Sequence, residues 1–330
     1  MLAPSPLPRT LDASFRDLGS ERGATRASAI RDLVRHALAS DETRARAVPR
    51  IERALADDPS GAVRAAAAVA LADLKAHEAL PTLLVSVEDD DPNVRQMALT
   101  ALGEIGDPRA RPRVERALRD PRPEVRYQAI IAFPHVAGDD PAAVAIALAT
   151  ALGDDDPEIR YIAVRVAEER GAGGELPARA AELVDDADPA LAVVAALYLA
   201  RLDERGGPRG PRAARAVEVV LDVVAERRRT PVLEDELGCI DLAGELELRD
   251  AIPGLERRAW GTRRALRRLL SWGAGDGASS AWHARTSLAR MGHARARDEI
   301  LADLASWRRE TREAAVVAAA RAGIAGARGE

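Results

Sequence analysis

The sequence predicts an all-α solenoid of stacked antiparallel helix pairs, and three observations predict it. A pattern of aspartate, proline and arginine recurs, placing Arg64, Arg95, Arg126 and Arg160 at spacings of 31, 31 and 34 residues. Within each copy the apolar residues follow the helical period rather than strand alternation. Apolar residues make up 47% of the chain but aromatics only 3%, against 31% charged, which suits closely packed amphipathic helices with solvated outer faces.

The elements follow in order. Residues 1–18, rich in proline and serine before Arg9, are expected to form a mobile arm. ATRASAIRDLVRHAL, with Arg26, is a first, weaker copy, and its partner AVPRIERAL carries Pro49. The copies that begin at Asp57, Asp90, Asp120 and Asp155 each open a first helix. In the clearest one, Val94, Met97, Ala98, Ala101, Leu102 and Ile105 share one face, and Gly103 and Gly106 close it. Pro49, Pro81 and Pro112, spaced by 32 and 31 residues, mark second helices, because proline is tolerated in a first turn where its missing N–H has no partner to lose. Pro177 repeats the landmark. At Ala192 the frame continues without its arginine, and at Glu236 a carboxylate replaces it. Loop insertions are expected near 203–212 and 271–281, and RRETREAAVVAAARAG reads as a helix that caps the stack. The count is eight helix pairs plus that terminal helix, forming one solenoid over residues 19–330.

The pattern D-x-x-V-R-x-x-A-x-x-A-L-G-x-I-G followed by A-x-P-x-L resembles HEAT repeats, in particular the short bacterial type shared with phycobilin lyases. The resemblance is strongest over residues 57–190 and weaker over 20–56 and 230–325. It implies a HEAT/armadillo-like solenoid curved into a right-handed superhelix. Such repeats serve many functions, so the motif speaks to fold far more than to activity.

The aspartate runs Asp89-Asp90-Asp91 and Asp154-Asp155-Asp156 have the oxygen chemistry of a divalent cation site. The reading adopted is helix capping, in which the last carboxylate of each run (Asp58, Asp91, Asp156) accepts a backbone N–H ahead of a first-turn proline. The arginines Arg64, Arg95, Arg126 and Arg160 are read as a column, each bonded to an aspartate of a neighbouring repeat and holding the stack in register. No cofactor or metal is expected.

The stretch LERRAWGTRRALRRLLSW (255–272) is the candidate partner-binding site: Arg257, Trp260, Arg263, Arg264, Arg267 and Arg268. At helical spacing Arg257, Arg264 and Arg268 share one face, able to grip phosphates or an acidic protein surface. Residues 1–200 carry 24 basic and 33 acidic side chains and residues 201–330 carry 24 and 20, so the balance moves from -9 to +4 and favours the C-terminal half for anionic partners.

The net charge of -5 argues against a protein that coats nucleic acid over its whole surface. One cysteine, Cys239, allows neither an intrachain disulfide nor a cysteine-based zinc cluster, and it sits on an apolar first helix as core. The deoxyhypusine hydroxylases among HEAT-repeat enzymes place histidine–glutamate pairs on successive first helices. Here one such pair exists, His77-Glu78, between helices. No signal peptide or membrane span is apparent, so a cytoplasmic protein is expected. The leading function is a non-catalytic scaffold or adaptor that binds proteins on the concave face lined by the second helices. The alternatives are nucleic-acid binding through the 257–268 arginines and, further down, a lyase-type HEAT-repeat enzyme or lyase subunit.

Overall fold

The computed structural model describes residues 9–170, 172–204, 211–261 and 277–324. Helices follow one another throughout these residues, and none of them is a strand. Helix pairs in the sense of one repeat each are α2 (Gly23–Leu38) with α3 (Asp41–Asp57), α4 (Gly61–Asp73) with α5 (Leu80–Ser86), α6 (Pro92–Ile105) with α7 (Arg111–Ala117), and α8 (Pro123–Val136) with α9 (Pro141–Ala151). They continue as α10 (Pro157–Arg170) with α11 (Leu176–Leu183), α12 (Pro189–Glu204) with α13 (Pro211–Val224), α14 (Leu233–Glu245) with α15 (Ile252–Trp260), and α16 (Gly277–Arg290) with α17 (Ala294–Leu304). A short α1 (Leu11–Asp17) precedes them and α18 (Arg309–Arg321) follows.

Two compact units divide the chain inside α10, one up to Val166 together with Ala172–Gly174 and the other from Ala167, with Glu175 onward. In the first unit α4 packs between α2 and α6, and α6 against α8, so first helix stacks on first helix. Leu71, Leu99, Leu102 and Ile130 fill that seam, each at most 1% exposed. In the second unit α12 contacts α13 and α14, and α14 and α15 pack on α16. Alanine at the facing positions (Ala67, Ala68, Ala98, Ala129) lets the helix backbones come close.

Local chemistry sets the boundaries. Proline stands at the first helical position of α6, α8 and α9, where no N–H is lost to the ladder. Gly106, with φ of 68°, ends α6 in the left-handed conformation that a side chain would strain. Short 3₁₀ turns at His77–Ala79, Pro108–Ala110 and Arg249–Ala251 lead into α5, α7 and α15.

Three expectations change. Residues 11–17 of the expected arm form α1, which packs on α2 with Ser14 buried. Arg9 ties it down, donating to Asp17 (3.0 Å), Ser28 (2.7 Å) and Asp32 (2.8 Å), and Arg46 and Arg50 lie over the Phe15 ring. A single arginine that reaches three partners orders what composition alone reads as loose; residues 1–8 lie outside the described residues. Pro49 does not open a helix but lies within α3, because Ser40 caps that helix earlier and Asp41 and Glu42 favour its positive end. The insertion expected at 271–281 is helical from Gly277, and that at 203–212 is bounded by α12 and α13, leaving 205–210 and 262–276 outside the described residues.

Candidate functional site

The recurring arginine has two jobs at once. Through Nε and Nη2 it grips the carboxylate of the following repeat: Arg26 on Asp58 (2.7 and 2.7 Å), Arg64 on Asp89 (2.8 and 2.7 Å), Arg95 on Asp120 (2.9 and 2.9 Å), and Arg126 on Asp154 (2.8 and 2.8 Å). Through Nη1 it reaches back to the carbonyl six residues earlier in its own repeat: Ser20, Asp58, Asp89 and Asp120, all within 2.9 Å. Arg160 makes the same backward bond to Asp154 O at 2.8 Å. These are fork-to-carboxylate bonds of the strong, charge-assisted kind, in a seam where the Arg95 and Asp120 side chains are 13% and 11% exposed.

Each gripped aspartate also folds its own loop. Asp58, Asp89, Asp120 and Asp154 accept the N–H two residues on, at 2.9, 2.9, 2.9 and 3.0 Å. The cap is a different residue: Asp91 accepts from Asn93 N–H (2.9 Å), Asp156 from Glu158 N–H (2.8 Å) and Asp188 from Ala190 N–H (2.9 Å). Asp58 therefore departs from the capping role read from the sequence. It lies two residues before the N-cap, Ser60, and takes Arg26 instead. The carboxylates that resemble a metal site divide into one that caps and one that binds arginine. Among the described residues no three His, Cys, Asp or Glu side chains gather as metal ligands.

Burial pushes the Asp58, Asp89 and Asp154 carboxyls up, and the bonds from arginine and backbone N–H outweigh it, holding all three below the usual carboxylate value. A depressed folded pKa contributes stability above the unfolded value of about 3.9 and loses it as pH falls through the folded value. The urea midpoint is therefore expected to stay level from neutral down to about pH 4 and to drop below it. In Asp89→Asn the acid drop should be smaller; a drop of wild-type size would contradict the assignment.

The arginine-rich stretch divides differently from its sequence reading. α15 stops at Trp260, and Gly261 leaves the helix with ψ of 150°. Arg257 is exposed, but no continuous helical face carries it on to Arg264 and Arg268; those two, with Arg263 and Arg267, lie outside the described residues. Arg258 is internal. Its side chain is 7% exposed, donates to Val223 O (2.7 Å) and Val224 O (2.9 Å) at the end of α13, and pairs with Glu236. Trp260 is half-buried, donating Nε1–H to Glu299 (2.9 Å) beneath the Arg295 guanidinium 4.1 Å from its ring centre. It braces α15 against α17.

The reactive side chains are similarly committed. Cys239 is fully buried and burial pushes its thiol far up, which removes the thiolate a nucleophile needs. Glu78 accepts from Arg44 (2.8 Å), and His283 pairs with Asp241 (2.7 Å). An open groove of ≈ 290 Å³ lies between α16, α17 and α18, lined by Trp282, Arg285, Asp303 and Glu310 among others. No described helix is long and apolar enough to cross a membrane.

Two features lay beyond the sequence reading. The second helices of the first unit expose apolar side chains, Val85 on α5 (71%) and Ile146 on α9 (68%). Between them on α7, Arg113 and Arg116 both pair with Glu88. The other is Arg312 on α18, which donates to Ser306 O (2.7 Å) and Trp307 O (3.0 Å). Six residues separate it from Ser306, so it occupies the ladder position.

Paired helices joined by directional arginine–aspartate bonds define a helical-repeat protein of two-helix units. A family model for HEAT repeats matches residues 48–134 and 83–168, so this stretch of the chain is built of HEAT repeats. The solved structure of YibA from E. coli is similar in fold, with a TM-score of 0.52 at 16% identity over 84% of this chain and 93% of that one. The complex of CpcE and CpcF of phycocyanin lyase from Nostoc sp. PCC7120 gives a TM-score of 0.46 at 18% identity, covering 78% and 96%. An engineered protein gives 0.45 at 18%, covering 95% and 88%. No curated protein matches the sequence.

Proposed function

We propose that the protein is a non-catalytic scaffold or adaptor that binds another protein along its second helices. One observation carries this reading: Val85 and Ile146 are held out to solvent on α5 and α9, with the Arg113 and Arg116 pair on α7 between them in sequence. Exposed aliphatic anchors beside arginines are the composition of a recognition surface. The inaccessible Cys239 and the internally paired histidine and glutamate groups support a role without catalysis. Arg257, with Arg263, Arg264, Arg267 and Arg268, remains the proposed second contact region, and Trp260 braces the helix that carries Arg257.

The test compares proteins captured from native cells by wild-type chain, by Val85→Asp with Ile146→Asp, and by Arg264→Glu with Arg268→Glu. Partner capture is expected to fall at least about tenfold in the first variant, since an anchor lost from an interface centre costs about 2 kcal/mol. Unchanged capture would reject the surface. Titration with duplex DNA at low and moderate salt distinguishes the nucleic-acid alternative, which requires affinity that falls steeply with salt.

A further inference from the structure

The second helices of the first unit alternate in chemistry from one repeat to the next. α3 turns Arg46, Arg50 and Arg53 to solvent. α5 carries no charged residue and exposes Val85. α7 presents Arg113 and Arg116, and α9 again carries no charged residue and exposes Ile146. The rows therefore run basic, aliphatic, basic, aliphatic. Side chains fix them beside one another. Thr82 on α5 donates to Glu52 on α3 (2.6 Å), Arg113 and Arg116 pair with Glu88 just past α5, and Arg111 on α7 pairs with Asp140 at the cap of α9 (3.0 Å).

The charge on these rows is local. On the first helices α4, α6 and α8 the repeating arginines are committed to the ladder, and Asp73, Glu104 and Glu124 are the carboxylates they expose. On α3 the arginines are uncommitted: Arg46 and Arg50 lie over the Phe15 ring, and Arg50 donates to Arg46 O (2.7 Å). Among the described residues no carboxylate pairs with either of them or with Arg53. On α7 two arginines share the one carboxylate of Glu88, and exposed Arg119 just past the helix offsets exposed Glu115. Both arginine rows are therefore left with positive charge, inside a half of the chain that is acidic as a whole.

We infer that this face takes an extended segment of a partner protein in which acidic and aliphatic residues alternate at three-residue spacing. The inference rests on the scaffold reading above and names the chemistry of its partner. Packed neighbouring helices lie about 10 Å apart and an extended chain rises about 3.3 Å per residue, so one row spans about three residues of ligand. A carboxylate over α3, an aliphatic side chain on Val85, a carboxylate over α7 and an aliphatic side chain on Ile146 then fall at every third position. Charge complementarity selects the acid, and the two aliphatic rows select against nucleic acid, whose phosphates recur at every nucleotide and would lie over Val85 and Ile146. The aromatic ring beside α3, Phe15, already lies beneath two guanidiniums and offers no free face on which a base could stack.

The probe is a labelled synthetic peptide, EGSLGSEGSLGS, compared with its isomer ELGSGSELGSGS, which has the same composition but sets each glutamate next to a leucine. Anisotropy titration with the full chain is expected to show saturable binding of the first peptide and binding about fivefold weaker or less of the isomer. Arg53→Glu with Arg116→Glu, and separately Val85→Asp with Ile146→Asp, should each weaken the first peptide about tenfold or more. All four side chains are exposed, so both variants should keep the wild-type circular dichroism. Absence of saturation, equal binding of the two isomers, or indifference to either variant overturns the inference. So does an oligothymidylate of the same length that binds more tightly than the peptide, or a chain that is dimeric alone and becomes monomeric with Val85→Asp. If the peptide fails while Val85→Asp with Ile146→Asp still loses its partners from native cells, the alternating ligand falls and the scaffold reading stands; if that capture is unchanged, both fall.

Discussion

Arg95→Met is expected to lower the stability of the first unit by about 2–3 kcal/mol, below the full cost of breaking a buried pair because the seam retains some solvent. The substitution keeps the side chain's bulk and removes four bonds, two to Asp120 and one each to the carbonyls of Asp89 and Asp90. The Asp120 carboxylate then keeps only the Arg122 N–H as a bonded partner from the ladder. Urea unfolding followed by circular dichroism measures the loss. Asp120→Asn preserves the loop bond and breaks the charge pair, so the double variant should recover about 1.5 kcal/mol relative to the sum of the singles. Additive losses would mean that the bond between repeats contributes little beyond each residue's local contacts.

Gly244→Ala in α14 is the second large effect. A Cβ there would lie 2.6 Å from Ser287 Cβ and 2.7 Å from Ser287 Cα, so no rotamer change relieves it and α14 must move away from α16. That motion also breaks the buried bond from Ser287 Oγ to Ile240 O (2.9 Å). A loss of about 3 kcal/mol is expected, net of the gain of up to about 1 kcal/mol from alanine's helix preference. Tryptophan fluorescence reports it selectively, because Trp260, Trp272, Trp282 and Trp307 all lie in the second unit. Gly103→Ala is the graded control: Ala132 Cα and Cβ stand at 3.2 Å, close enough to crowd but able to relax, so about 1 kcal/mol or less is expected there. A neutral Gly244→Ala would show that the two helices are not packed this closely.

Much of the fold was legible because the same signals repeat. The apolar face of α6, its closing glycine and its leading proline can each be read from DDDPNVRQMALTALGEIG alone, and the period then extends them. The division of labour between aspartates was not legible. A run such as Asp89-Asp90-Asp91 offers carboxylates both six and four residues before the arginine, and only the turn geometry assigns one to Arg64 and the other to the helix end. Where the run shortens, as at Asp58, the sequence suggests the wrong one. Arg312 was hidden for the opposite reason: its turn, Ser306-Trp307-Arg308, has neither aspartate nor proline, so the arginine's place shows only through its bonds to carbonyls. α1 gives no periodic signal over seven residues and depends on Arg9 for its order. Within the arginine-rich stretch, the candidate contact Arg257 is exposed while its neighbour Arg258 is internal, a difference that no composition argument draws.

The ladder also bears on how such a chain can change length. Every joint in the first unit has the same sense, a forward-reaching guanidinium and a waiting carboxylate, so the two sides of any joint are interchangeable with those of another. Excision of residues 89–119, one whole period, would bring Arg64 to the loop of Asp120, which offers the same carboxylate and the same N–H acceptance as Asp89. Duplication would add a module with both connectors in place. A gene encoding this pattern can therefore gain or lose whole repeats at less structural cost than it suffers from a single exchange within the joint, which favours diversification by recombination over diversification by point mutation.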